Sequence, residues 1–286
     1  MDESLRLAVI SALLRSESLE LATSLRPIVG TDGKKLGKRT GNALEFADYR
    51  EYRPGDDLRR LDWGVMARSG QLAIKLYSEE IDPRCDIVID QSASMACEVN
   101  KAAAALGLAA LLANAAVNAG FSLTVWHCAD TLKKEPQSAY PEAWENCDFS
   151  GMTSPGEGFK NFVGGFQRGG IRFVVTDLLW TNEPDFFLRS LSDGSASVVI
   201  IQLLTQNEEN PRFTDRLSLI DAESGEIREI TMNNATLSRY CERLSRHQDL
   251  WRRAAEKHDV KLIRISVEEL YPTWDIQKLF CAGVFK

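Results

Sequence analysis

The chain has only three histidines, and its six cysteines include no Cys-x-x-Cys pair. No histidine stands at zinc-ligand spacing from a cysteine, which excludes the common zinc arrangements. Cys85, Cys97, Cys128, Cys147, Cys241 and Cys281 are expected to be reduced, buried thiols. Positive charge is not in excess: 34 Lys and Arg stand against 41 Asp and Glu, a net −7. That balance argues against a nucleic-acid binder. There is no long hydrophobic run. The most apolar stretch, Ala102 to Val117, is rich in alanine and broken by Asn114, and it falls short of the roughly 20 strongly apolar residues a membrane span needs. The start, Met1-Asp2-Glu3, is acidic where a secretory signal is basic. A soluble, cytoplasmic chain without a membrane span is therefore expected. Catalytic signatures are missing too. Gly33-Lys-Lys-Leu-Gly-Lys-Arg-Thr40 is not a P-loop, because Gly33 and Gly37 are too close and Arg39 stands where Ser or Thr must hold magnesium. No Gly-x-Ser-x-Gly elbow surrounds Ser92 or Ser94.

With 44% hydrophobic and 26% charged residues over 286 positions, the chain can bury a sizeable core. Residues 4 to 26 read as an amphipathic helix, with Leu5, Ala8, Ala12 and Leu19 among its apolar positions. A basic, glycine-containing loop follows from Gly30 to Asn42, then a stretch crowded with charges and turn residues to Gly70. Ala73 to Tyr77 alternates like a strand and could extend a sheet edge. In Tyr52 to Trp63, Pro54-Gly55 predicts a turn, and Arg53, Asp56, Asp57, Arg59 and Asp62 are expected to pair among themselves. Trp63 is expected to anchor a core.

From Asp86 the pattern changes. Asp86-Ile-Val-Ile-Asp90 predicts a buried parallel strand, followed by a buried Ala/Leu helix over about Cys97 to Ala119. Further strands are predicted at Phe121 to His127, Ile171 to Thr176, Ser197 to Leu204 and Val260 to Ile265. Arg216 to Ile220 and Ile227 to Thr231 predict a β-hairpin, and Asn234 to His258 a helix with Leu237, Cys241, Leu244, Trp251 and Ala255 on one stripe. Strands alternating with helices predict an α/β fold with a mostly parallel sheet covered on both faces. The expected division is 1–80, a helix and charged segment packing on the rest, and 81–286, the sheet domain.

In such a sheet, ligands sit outside the carboxyl ends of the strands where the order reverses. Asp90 and Asp177 fall at two such ends. Asp90, Ser92 and Ser94 alternate along one turn, so their oxygens can converge, and hard oxygens suit Mg²⁺, Mn²⁺ or Ca²⁺. An ordinary helix cap would use the same residue types. His127 could face this cleft, but a hydrogen-bonded structural role is expected.

Asp90-x-Ser92-x-Ser94 after a buried strand resembles the metal-ion-dependent adhesion site of von Willebrand factor A domains. Thr153 in Gly151-Met-Thr153-Ser and Asp177 after Thr176 match its two later elements. That resemblance implies direct metal contacts from Ser92, Ser94 and Thr153. It also implies water-mediated ones from Asp90 and Asp177, and an open position for a partner's carboxylate. A second resemblance is carried by Glu45-Phe46, Arg50-Glu-Tyr-Arg-Pro-Gly-Asp-Asp57, Arg59, Leu61-Asp-Trp63, Ala67-Arg68 and Leu76 to Glu80. These are similar to the signature of the bacterial domain-of-unknown-function family fifty-eight, whose members carry it ahead of a von Willebrand factor A-like domain. The similarity spans roughly residues 37 to 205. It implies a non-enzymatic, metal-dependent interaction module working with a MoxR-type AAA+ ATPase. Two other functions compete with it. One is a scaffold whose site is empty. The other is a Mg²⁺-dependent phosphohydrolase using Asp90, although such enzymes need Asp-x-Asp and the third position here is Ser92.

Overall fold

The computed structural model describes residues 1–22, 44–79, 83–145, 147–160, 162, 165–166, 168–180, 183–212 and 215–286. The basic loop from Gly30 to Asn42, with its P-loop-like run, lies outside them. The helix expected over residues 4 to 26 is shorter: it ends at Arg15, and the chain turns to a bridge between Leu21 and Phe285. The chain divides into two compact units, Met1–Ile28 with Pro83–Lys286, and Val29–Asp82. The first helix, expected within an N-terminal block ending at 80, thus goes with the larger unit.

The smaller unit carries β1 (Leu44–Glu51) and β2 (Ala73–Glu79), which pair antiparallel in a sheet of their own. The expectation that Ala73 to Tyr77 extends the main sheet is therefore corrected: β1 takes up that strand's hydrogen bonds. Pro54-Gly55 does form a turn, with Gly55 at φ +106°. The acidic residues around it serve the backbone more than each other. Asp57 accepts from the Arg59 amide, and Asp62 accepts from the Gly64 and Val65 amides at the start of α2 (Trp63–Ser69). Asp56 takes an ion pair with Arg50 at 2.8 Å. Trp63 is 65% exposed, so the expected core anchor is also corrected. It opens a seven-residue helix of which no residue is buried.

In the larger unit, β3 (Arg84–Asp90), β4 (Ser122–Cys128), β5 (Leu132–Lys134), β6 (Ile171–Thr176), β7 (Ser197–Leu204) and β10 (Val260–Ser266) form one sheet in the order β10-β7-β6-β3-β4-β5. All its pairings are parallel except β4 with β5. The remaining strands, β8 (Asp215–Ile220) and β9 (Ile227–Met232), make the expected hairpin. The pleat sorts the core into two layers. Ile87, Ile89, Phe173 and Val175 point into one cluster, and Val88 and Val174 into the other. The protein is thus mixed α/β, with a mainly parallel sheet between helices.

The first layer is built on α1 (Glu3–Arg15) and α3 (Lys101–Asn118), which pack on each other. Among the described residues α3 alone is long and apolar enough to cross a membrane, but 78% of it is buried inside the protein. Asn114, the polar interruption, donates from Nδ2 to the Ser16 carbonyl and hydroxyl beyond the end of α1. The helix starts at Lys101, later than the expected Cys97, because Ala93–Ala96 form a 3-10 turn and Asn100 adopts φ +70°. Helices α8 (Val267–Leu270) and α9 (Gln277–Cys281) complete this side with Leu270 and Leu279.

The second layer holds Phe159 of α4 (Pro155–Lys160), three residues of α5 (Pro184–Ser192) and three of α7 (Asn234–Lys257). On α7 only Trp251, Ala254 and Ala255 are fully buried, while Leu237, Cys241 and Leu244 are half-buried. A short helix, α6 (Gln206–Glu209), follows β7. Asn233 caps α7 by accepting from the Thr236 amide at 2.9 Å. Asn233→Ala should lower stability by about 1 kcal/mol, read as a small drop in the urea midpoint with an unchanged slope. An unchanged midpoint would show that water replaces the cap.

All six cysteines are free thiols, but only Cys85, Cys128 and Cys147 are buried; Cys241 is half-buried, and Cys97 and Cys281 are exposed, which corrects the expectation of burial. Burial pushes the Cys85 and Cys128 thiols far above their ordinary range, so they are inert hydrophobes in the core.

Candidate functional site

Strand β3 comes first in this sheet; β4 and β5 continue on one side of it, and β6, β7 and β10 on the other. The order therefore reverses between β3 and β6, and their carboxyl ends carry Asp90 and Asp177. Asp90 is fully buried. Its Oδ1 accepts from the Ser92 amide at 2.9 Å and from Ser92 Oγ at 2.7 Å, and its Oδ2 accepts from Thr176 Oγ1 at 2.6 Å. Ser92 Oγ lies 3.0 Å from Ser94 Oγ. Asp90 thus orients the serine pair from behind, within one continuous set of hydrogen bonds.

The Thr153 loop is brought to this turn by main-chain pairing. Ser92 and Gly151 form a parallel bridge, in which the Ala93 amide donates to the Gly151 carbonyl and the Gly151 amide to the Gln91 carbonyl. Glycine is required at 151, because a Cβ there would stand 2.9 Å from the Gln91 carbonyl oxygen and 3.0 Å from Ala129 Cα. Thr153 Oγ1 donates to Asp130 Oδ1 at 3.1 Å, and Asp130 also holds the Met152 amide.

Ser94, Thr153 and Asp177 line one cleft of about 460 Å³, together with Glu157, Trp180 and Glu223. The five residues expected from sequence thus divide. Ser94, Thr153 and Asp177 face the cleft, while Asp90 and Ser92 lie buried behind Ser94. Glu223 comes from the turn of the β8–β9 hairpin, with Asp221 beside it on the lining. Burial, and then the charge of Asp177, push the Glu223 carboxyl up.

Asp177 is held from two sides. Its Oδ1 accepts from the Leu179 amide at 3.0 Å, and its Oδ2 accepts from Lys101 Nζ at 2.9 Å. Lys101 is completely buried and also donates to Glu208 Oε1 at 2.6 Å and to the Ser94 carbonyl at 3.2 Å. Burial pulls the ammonium's pKa down, but Asp177 and Glu208 outweigh it and hold it above the ordinary lysine range. Burial, and then the neighbouring Asp177 charge, push Asp90 up to about 7.

Sequence reasoning missed Lys101, Glu208, Thr176 and Asp130 as parts of the site. Two of them had a signal. Thr205-x-x-Glu208 spells a capping box, which the structure contains. Lys101 is the only charged residue in the apolar helix it opens, and it stands at the helix end where a cation is disfavoured. His127 is buried, with Nδ1 2.8 Å from Gln91 Nε2 and Nε2 3.0 Å from Glu135 Oε2, a hydrogen-bonded structural histidine as expected. Among the described residues no three His, Cys, Asp or Glu side chains gather as a metal-binding group. Any metal held here would need the hydroxyls.

Residues 48–139 match the family described as Protein of unknown function DUF58. The matched span is narrower than residues 37 to 205, and it includes both the Arg-Pro-Gly-Asp-Asp segment and the Asp90 turn. An uncharacterised protein of Mycobacterium bovis and two of Mycobacterium tuberculosis are each 33% identical over 86 residues, covering 30% of this chain. The matched region spans about a quarter (26%) of those relatives' length. A conserved hypothetical protein BatB from Bacteroides thetaiotaomicron has 11% identity, with 70% of this chain and 98% of that one covered, at a TM-score of 0.37. An aerotolerance-related membrane protein from Bacteroides fragilis has 12% identity, with 71% and 98% covered, at a TM-score of 0.36.

Proposed function

We propose that this chain is a von Willebrand factor A-like, non-enzymatic interaction module that binds a partner's Glu or Asp carboxylate through a divalent metal, with a MoxR-type AAA+ ATPase as the partner. The observation that carries this reading is the convergence of Ser94, Thr153 and Asp177 on one cleft, with Asp90 and Ser92 ordered directly behind them.

The donor set fits Mg²⁺, Mn²⁺ or Ca²⁺. It consists of hydroxyl and carboxylate oxygens, the hard ligands these ions prefer. Asp90 is forced toward its neutral form by burial beside Asp177, which a nearby dication would relieve. Ser92, Ser94 and Thr153 would hold the ion, Asp177 would support it through water, and Asp90 would act through Ser92, whose amide and hydroxyl it orients. Bound there, the metal would offer an electrophilic position to an incoming carboxylate. Both Asp90 oxygens accept hydrogen bonds, and the side chain is inaccessible. That suits an orienting carboxylate better than the phosphohydrolase nucleophile. A metal-free scaffold is the second reading, favoured by Lys101, whose ammonium already supplies a positive charge at Asp177.

Calorimetric titration of Mg²⁺ and Mn²⁺ into the chain should give saturable heat that disappears in Asp90→Ala. Immobilised chain should capture the ATPase in Mg²⁺ and release it in chelator. Capture that persists undiminished in chelator would sink the metal-dependent mechanism. Absence of metal binding by the folded wild type would leave the scaffold.

A further inference from the structure

We infer that Lys101 is a built-in cation of this site: its ammonium fills a position bounded by Asp177, Glu208 and the Ser94 carbonyl, which a divalent ion would occupy if the lysine were removed. The position lies behind the cleft of the proposed function, and the inference rests on that reading only for the separate ion at the serines.

Lys101 is where a lysine is hardest to keep. It is the first residue of α3, at the positive end of the helix dipole, and it is completely buried. Burying an ammonium costs several kcal/mol unless close partners compensate it. Here the compensation is complete. The three N–H donors of the ammonium meet three oxygens, Asp177 Oδ2 at 2.9 Å, Glu208 Oε1 at 2.6 Å and the Ser94 carbonyl at 3.2 Å. Those oxygens come from the segments that follow β3, β6 and β7, so one cation ties three strand ends together.

The acceptors are themselves fixed. Glu208 Oε2 accepts from the Thr205 amide at 2.8 Å within the capping box, and the Glu208 carbonyl accepts from the Tyr240 hydroxyl of α7. Asp177 Oδ1 is held by the Leu179 amide. Two carboxylates and a carbonyl thus converge from rigid supports. These are the ligand types that hard divalent cations take.

This arrangement gives Lys101 a positioning role. By engaging Asp177, the ammonium holds that carboxylate off an ion at the serines. An ion with few direct anionic ligands keeps more of its charge for a partner's carboxylate. Lys101 thereby sets how strongly the site attracts its partner without touching either metal or partner.

The test counts Mn²⁺ ions on the full chain by electron paramagnetic resonance of the free ion, comparing wild type, Lys101→Met and Lys101→Arg. K101M should bind one saturable equivalent more than wild type, and K101R should bind no more than wild type. The same count in K101M as in wild type, or an added equivalent in K101R as well, overturns the inference. If wild type binds nothing and K101M binds one ion, the inference stands and the proposed metal-dependent function fails. If both bind one with equal affinity, the reverse holds. The double variant Lys101→Met/Glu208→Gln loses one charge of each sign, so it should fold and lack the added equivalent; retaining it counts against the inference. Should K101M be unfolded without metal, millimolar Mn²⁺ must restore its near-ultraviolet circular dichroism. A K101M chain that stays unfolded in the metal overturns the inference, whatever the double variant does.

Discussion

In metal-free buffer the protein should lose stability relative to its Asp90→Asn variant as the pH rises from about 4, the ordinary range of an unfolded aspartate, to neutrality. The cause is Asp90. Burial, and then the charge of Asp177, push its carboxyl up to about 7, although hydrogen bonds from Thr176 and Ser92 work the other way. The sign follows from proton linkage. The folded state holds this proton more tightly than the unfolded chain does. Its contribution is therefore fully present below the unfolded pKa and lost as pH rises through the folded one. Holding this proton up to about 7 instead of about 4 corresponds to roughly 4 kcal/mol. Urea unfolding across that range in metal-stripped buffer should show the decline, and Asp90→Asn should flatten it. Saturating Mg²⁺ should also flatten it, since a bound dication favours the ionised carboxylate. Equal slopes for wild type and Asp90→Asn would remove Asp90 as the source.

Gly107→Ala should be among the most damaging single-methyl changes in the chain. A Cβ at 107 would lie 2.0 Å from Trp274 Cη2 and 2.6 Å from its Cζ2. The indole has little room to yield. Trp274 is 3% exposed, its Nε1 donates to Ser11 Oγ of α1 at 2.9 Å, and its backbone sits at φ +54°. The glycine thus lets a ring from the C-terminal segment lie flush on α3 while gripping α1. Overpacking of this kind costs on the order of 3 kcal/mol, enough to lower the thermal midpoint by several degrees. Trp274→Leu in the same background should recover part of the loss, because the two changes share one space. Full additivity of the two losses would show that the clash is relieved by moving backbone instead.

Legibility from sequence followed how local the determining physics is. The strands β3, β6 and β7 were readable because short, mostly β-branched apolar runs suit few environments other than a buried parallel sheet. The hairpin was readable from two short runs flanking a Gly-containing loop, and α7 from one apolar stripe. The start of α3 was missed by several residues, since nothing in Cys97-Glu-Val-Asn100 announces a left-handed Asn100. Trp63 misled because aromatic rings usually seek a core, and a short helix in a small unit provides none. In the site, the serine turn and the two strand-end aspartates were legible because backbone periodicity alone delivers them to one sheet edge. Lys101 and Glu208 carried local signals, a lone charge in an apolar helix and a capping box, but only the register of β3, β6 and β7 shows that they meet at Asp177.

The β8–β9 hairpin gives the cleft an architecture with a separable part. The floor, with Ser94 and Asp177, is fixed by strand ends that the core cannot release. The wall carrying Asp221 and Glu223 is a two-stranded excursion between α6 and α7, paired only within its own sheet. Its length and charge can change while the six-stranded sheet keeps every hydrogen bond. The rim of the cleft can thus be rewritten in a single ribbon while its floor stays as it is.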